Sequence, residues 1–99
     1  MRIFAAGLLF TALSFGATMT GWISDSSCGK GNAKGDAEAR ECTKSCLKNG
    51  ATPVFVSDAD QKVYKLSGKD VKDHLDYKVK VTGKVTGDTI TVQDIRKAD

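Results

Sequence analysis

The chain has 99 residues with 15 Lys or Arg against 12 Asp or Glu, a formal net charge of +3. That length excludes a multi-domain enzyme, and so mild a charge excludes the strongly basic surface of a dedicated nucleic-acid or membrane-surface binder. A domain this small buries a modest core, which makes its three cysteines candidates for a stabilising disulfide or metal.

Arg2 precedes an uncharged apolar run over residues 3–13, and Ser14, Gly16 and Ala17 follow it. This is the charged start, apolar middle and small-residue end of a secretory signal peptide. Ser14 and Gly16 fit a peptidase that accepts small side chains, so cleavage is expected after Gly16. Cutting after Ala17 would present the bulky Phe15 instead. Residues 1–16 are thus expected to be a signal peptide and residues 17–99 a single periplasmic or secreted domain. An uncleaved anchor is the competing reading, because residues 3–23 carry no charge and approach the roughly 20 needed to span a bilayer. Ser, Gly and Thr in the second half of that stretch argue against it, and no stable membrane span is expected after cleavage. No cysteine ends the apolar run, so a lipoprotein is not indicated.

Along the exported part, residues 18–24 read as a strand, with Met19, Gly21 and Ile23 on one face. Residues 25–35, rich in Ser, Gly, Asn and Lys, read as a loop. Asp36 is the expected N-cap of a helix over 37–48, and Asn49-Gly50 its stop. On that helix Ala39, Cys42 and Cys46 share a stripe expected to face the protein body, and Arg40, Lys44 and Lys48 form a basic stripe elsewhere. The period then changes to two. Residues 53–57 and 62–66 form a hairpin about the turn 58–61, and 67–75 a short helix or helical turn. Tyr77, Val79, Val81, Gly83 and Val85 alternate with Lys78, Lys80, Thr82, Lys84 and Thr86. Gly87-Asp88 turns the chain into a last strand from Thr89. Ile90 and Val92 share its inner face, but Ile95 is out of phase, which fits a bulge near Gln93-Asp94 or simply the strand's end. Val79, Val81, Val85, Ile90 and Val92 are the expected core.

The fold class expected is mainly β (α+β): a small five-stranded OB-like barrel, with a helix between strands 1 and 2 and a short helix between strands 3 and 4. Val63-Tyr64-Lys65-Leu66, Val79-Lys80-Val81-Thr82-Gly83 and Thr89-Ile90-Thr91-Val92 resemble the strands of secreted bacterial OB-type domains. Asp25-Ser26-Ser27-Cys28-Gly29 and Cys42-Thr43-Lys44-Ser45-Cys46, ahead of the β-rich tail, resemble the three-cysteine motif of a group of small exported bacterial OB-fold-like proteins. That resemblance implies a fold and a compartment and no activity, since OB folds host many functions.

Cys28, Cys42 and Cys46 carry what chemistry the sequence offers. The leading expectation is one disulfide, Cys28 with Cys42 or Cys46, favoured by an oxidising compartment. Closing a loop of about 15 residues stabilises by roughly 3 kcal/mol and leaves a spare thiol. In the alternative, three thiolates, two of them one helical turn apart, converge on Zn²⁺ or Cu(I), with the only histidine, His74, or Asp25 as a fourth ligand. A thiol oxidoreductase ranks third, because such enzymes place C-x-x-C at a helix N-terminus and here the spacing is C-x-x-x-C inside one. Residues 29–35 lack the order of a phosphate loop, Asp58-Ala59-Asp60 lacks the rest of an EF-hand, and His74 has no nucleophile beside it in sequence. The lysines of the fourth strand read as a solvated face that discourages edge pairing. The expected function is therefore a non-enzymatic, exported OB-type binding or interaction module with no cofactor, binding no nucleic acid and acting on a ligand or protein of the cell envelope. The alternative is a cell-envelope soft-metal protein using Cys28, Cys42, Cys46 and His74.

Overall fold

The computed structural model describes residues 16–75 and 77–98, so residues 1–15 of the expected signal peptide lie outside the described residues. Alternating sequence produces five strands: β1 (Ala17–Asp25), β2 (Pro53–Ser57), β3 (Val63–Ser67), β4 (Lys78–Thr86) and β5 (Thr89–Lys97). Helix α1 (Ala37–Lys48) lies between β1 and β2, and a 3-10 turn at Lys72–His74 lies between β3 and β4. The strands close into a barrel in the order β1-β2-β3-β5-β4. The five-stranded barrel with its helix after the first strand is the architecture that the sequence predicts.

β1 makes closure possible by serving two partners. Its first part pairs antiparallel with β4, from Ala17 opposite Gly83 to Trp22 opposite Lys78. Its end pairs with β2, from Gly21 opposite Ser57 to Asp25 opposite Pro53. A parallel contact of β3 with β5, Lys65–Ser67 against Thr89–Thr91, seals the ring. Of the two readings of Ile95, the structure has the bulge and not the strand's end: Thr82 faces Asp94 while Gly83 faces Val92, leaving Gln93 extra. That extra residue re-phases Ile95, which pairs with Val81 and packs half-buried against the core.

Inside the barrel Ile23, Phe55, Tyr64, Val71, Leu75, Val79, Val81, Ile90 and Val92 form one apolar cluster. Val85 departs from the expected core, being 38 % exposed. Gly83 is the last β4 residue with a β1 partner, so among the described residues the strand beyond it pairs with β5 alone, and none of them closes over Val85. Tyr77 is likewise exposed at the other end of the alternation, flanked by the Arg40 guanidinium and the Lys97 ammonium at 4.6 and 5.7 Å from its ring centre. A smaller cluster of Ala33, Val54 and Val56, with Trp22 against it, lies apart from the barrel interior. It fastens the segment after β1 to β2, whose alternate residues Val54 and Val56 are buried along with Phe55.

Gly21 marks where the barrel wall is tightest. A β-carbon there would fall on the Val56 carbonyl oxygen and against the Phe55 ring, both fixed by strand pairing. Gly21→Ala is expected to destabilise by about 2 kcal/mol, lowering the melting temperature by roughly 10 °C. Thermal unfolding followed by circular dichroism checks it.

Helix α1 starts and stops as its sequence dictates. The Asp36 carboxylate accepts the Ala39 N–H at 2.8 Å, and Gly50 turns the chain away with φ of +105°. Its buried residues are Ala39 and Thr43, with Leu47 packed on the core. The inward line is therefore one residue away from the expected Ala39–Cys42–Cys46 stripe, and both cysteines sit half-buried beside it. Among the described residues no helix is long and apolar enough to cross a membrane.

Candidate thiolate site

The three cysteines come together where β1 ends. β1 delivers Asp25 into the interior with 0 % exposure, and the chain turns immediately around its carboxylate. Asp25 Oδ1 accepts the Ser27 N–H at 3.0 Å and the Cys28 N–H at 2.9 Å, a local Asx-type turn. Oδ2 accepts from the Asn32 side-chain amide at 3.1 Å and from the Thr43 hydroxyl at 3.1 Å. One buried carboxylate thus ties the Cys28 turn, the 3-10 turn Gly29–Asn32 and the inward face of α1 to the end of β1. Further bonds hold the same segment: the Ser24 hydroxyl donates to the Gly29 carbonyl at 2.8 Å, and Ser26 N–H donates to the Thr52 carbonyl while Thr52 N–H donates back to Ser26 Oγ.

Thr43 lies between Cys42 and the turn that carries Cys46, so anchoring Thr43 to Asp25 fixes the cysteine-bearing edge of α1 against Cys28. The Sγ atoms of Cys28, Cys42 and Cys46 all lie within 4.8 Å of one another. All three are free thiols; Cys28 is exposed and the other two half-buried. No fourth His, Cys, Asp or Glu among the described residues joins this group. His74 ends the 3-10 turn Lys72–His74 and lines a separate cleft of about 270 Å³ with Asp73, Tyr77 and Lys97. Asp25, the other ligand considered from sequence, has both oxygens engaged by the four donors named above. It organises the site instead of supplying a ligand to it.

Desolvation and nearby negative charge oppose ionisation of Cys28 and Cys46. Burial pushes Asp25 up, but the hydrogen bonds from the Cys28 N–H, Asn32, Thr43 and the Ser27 N–H outweigh it and hold its carboxyl below the ordinary value. The ionised carboxylate then acts on its neighbours. Partial desolvation first, then Asp25 and Cys42, raise Cys28 against a smaller lowering by its hydrogen bond with Cys46; desolvation, then Asp25, Cys42 and Cys28, push Cys46 up to about 11. At neutral pH these two thiols therefore keep their protons until something displaces them.

Two other features complete the surface. An open groove of about 670 Å³ runs along α1, floored by Leu47, Pro53 and Leu75 and rimmed by Lys44, Lys48 and Lys72. On the barrel wall, Lys78 lies 5.7 Å from the centre of the Trp22 ring and 3.3 Å from the Asp58 carboxylate, and Lys80 and Lys84 are exposed beyond it.

That Cys42 and Cys46 share one side of the helix was readable from the helical period; that Thr43 and not they would face inward, and the role of Asp25 and Asn32, was not. A signal for part of it exists, since Asp followed by two serines is a common Asx-turn sequence. No protein-family model, curated protein or solved structure matches the chain.

Proposed function

We propose that this is an exported OB-type barrel module whose task is to hold one soft metal ion, Zn²⁺ or Cu(I), on the thiolates of Cys28, Cys42 and Cys46. The convergence of the three sulfurs within 4.8 Å carries this reading. Thiolates that share one ion at about 2.3 Å each stand roughly 3.8–4.0 Å apart, a small contraction from the arrangement seen. A disulfide would draw one pair to about 2.05 Å and leave the third thiol without a role. The buried hydrogen-bond cluster at Asp25 supports the proposal because it orients all three cysteine-bearing segments, as outer groups commonly do around metal ligands. Export is supported by the apolar leader ahead of Ala17, and the OB assignment by the ring order of the strands. A thiol oxidoreductase fits less well, since such enzymes depress the pKa of the attacking thiol and here Cys28 and Cys46 are raised.

The second reading, a ligand-binding module braced by a disulfide from Cys28 to Cys42 or Cys46, is the oxidised state of the same trio. It draws on the same proximity and on the chemistry of an oxidising compartment. One measurement separates the two. The protein recovered by native mass spectrometry from an export host is expected to carry one Zn²⁺ or copper ion and three thiols that alkylate only after chelation. Each Cys→Ser variant removes one of three ligands and should bind the metal more weakly than the parent. A metal-free protein with one alkylatable thiol, rising to three on reduction, would establish the disulfide module instead.

A further inference from the structure

Resting on the metal-site reading, we infer that the cargo is Cu(I), held by three sulfurs and passed on through its Cys28 side to a thiol-bearing acceptor. Donor count is the first ground. The group contains three ligating atoms and no fourth among the described residues, with Asp25 saturated by its own donors. Structural Zn²⁺ sites fill four protein positions. A monovalent soft ion is content with two or three thiolates, and soft sulfur ligands select it.

Unequal exposure is the second ground. Cys46 is the most sheltered of the three, and Cys42 on the same helix is open at its side chain, whereas Cys28 is exposed on a turn followed by Gly29 and Gly31. An incoming thiol meets the ion on the Cys28 side first. The exchange is then simple in atoms and charge. A new Cu–S bond to the acceptor forms, the Cu–S bond to Cys28 breaks, and the proton lost by the acceptor thiol ends on Cys28. Copper stays Cu(I) throughout, so no oxidant or reductant is required. A second acceptor thiol then displaces one of the two helix cysteines in the same one-for-one exchange, and the last helix thiolate leaves the two-coordinate ion by taking a proton from water. A site built for permanence would bury all three ligands.

The test uses the reduced full-length exported protein under anaerobic conditions. Cu(I) is titrated against the chromophoric chelator bathocuproine disulfonate, Zn²⁺ against a chromophoric zinc indicator, and the copper-loaded form is studied by X-ray absorption. Three Cu–S contacts are expected, with Zn²⁺ binding weaker than about micromolar. Cys28→Ser should keep Cu(I) on two sulfurs and lose it to dithiothreitol faster than the parent, while Cys42→Ser and Cys46→Ser should lose more affinity than Cys28→Ser. Sub-micromolar Zn²⁺ in a four-coordinate site, or equal losses in all three variants, would overturn the Cu(I) transfer inference and leave the metal reading intact. Binding of neither ion would overturn both.

Discussion

Val81→Asp is expected to leave the domain unfolded at 25 °C, while Lys80→Asp, one residue away, should melt within a few degrees of the parent. Val81 is 1 % exposed at the centre of the barrel cluster, between Met19 on β1 and Ile95 on β5. Removing a buried valine forfeits about 1.5–3 kcal/mol. An aspartate there adds the larger penalty of a carboxylate with no donor to meet it, which is several kcal/mol even after it takes up a proton. A domain of this size has roughly 4–12 kcal/mol to lose in all. Lys80 faces solvent opposite Arg96 and Thr20. Replacing one of two facing cations by an anion exchanges weak repulsion for weak attraction, a change of about 0.5 kcal/mol or less. Far-ultraviolet circular dichroism and thermal melts of both variants decide it. Equal loss of stability would mean that β4 presents the other face to the core.

The contrast between those residues was legible because a strand with one wall buried must alternate, and β4 alternates without a break. The bulge was legible only in part: Ile95 out of phase fits an inserted residue or the strand's end, and pairing with β4 makes Gln93 the inserted residue. Val85 was misread because period alone does not say where the neighbouring strand stops. β1 leaves β4 after Gly83, a fact set by tertiary pairing. The helix shows the matching limit. Its bounds and caps follow from Asp36 and Asn49-Gly50, but its apolar residues are small, and Ala39, Cys42, Thr43 and Cys46 could centre the inward stripe on either side. The buried Asp25 carboxylate settled the rotation by drawing in Thr43, a long-range hydrogen bond that no local pattern encodes. The result leaves the cysteines at the edge of the buried face, where they meet Cys28 and remain reachable from solvent.

Asp25→Ala is expected to weaken metal binding by about 100-fold or more and to lower stability by roughly 3–5 kcal/mol. The carboxylate is fully buried and receives four donors, from Ser27, Cys28, Asn32 and Thr43. Truncation leaves all four facing a small cavity. Each orphaned buried donor costs about 1–3 kcal/mol, and those nearest the exposed Cys28 recover part of this by turning to water, so the total falls short of their sum. Two effects on the thiols then compete. Loss of the carboxylate charge removes one of the influences holding Cys28 and Cys46 up, which eases their deprotonation and favours metal uptake. Loss of the Asx turn frees Cys28 from α1, so that convergence of three sulfurs must be achieved anew at each binding event. Convergence is the scarcer requirement, because a bound ion displaces thiol protons in either variant while the Cys28 N–H is held by Asp25. Asp25→Asn discriminates between the two effects. It removes the same charge but keeps a carbonyl oxygen for the Ser27 and Cys28 N–H groups, and Thr43 Oγ can accept from its amide. Its metal affinity should therefore lie much nearer to the parent than that of Asp25→Ala. If both variants bind metal as tightly as the parent, the bonds from Ser24 and Ser26 alone suffice to hold the turn, and Asp25 is not what assembles the site.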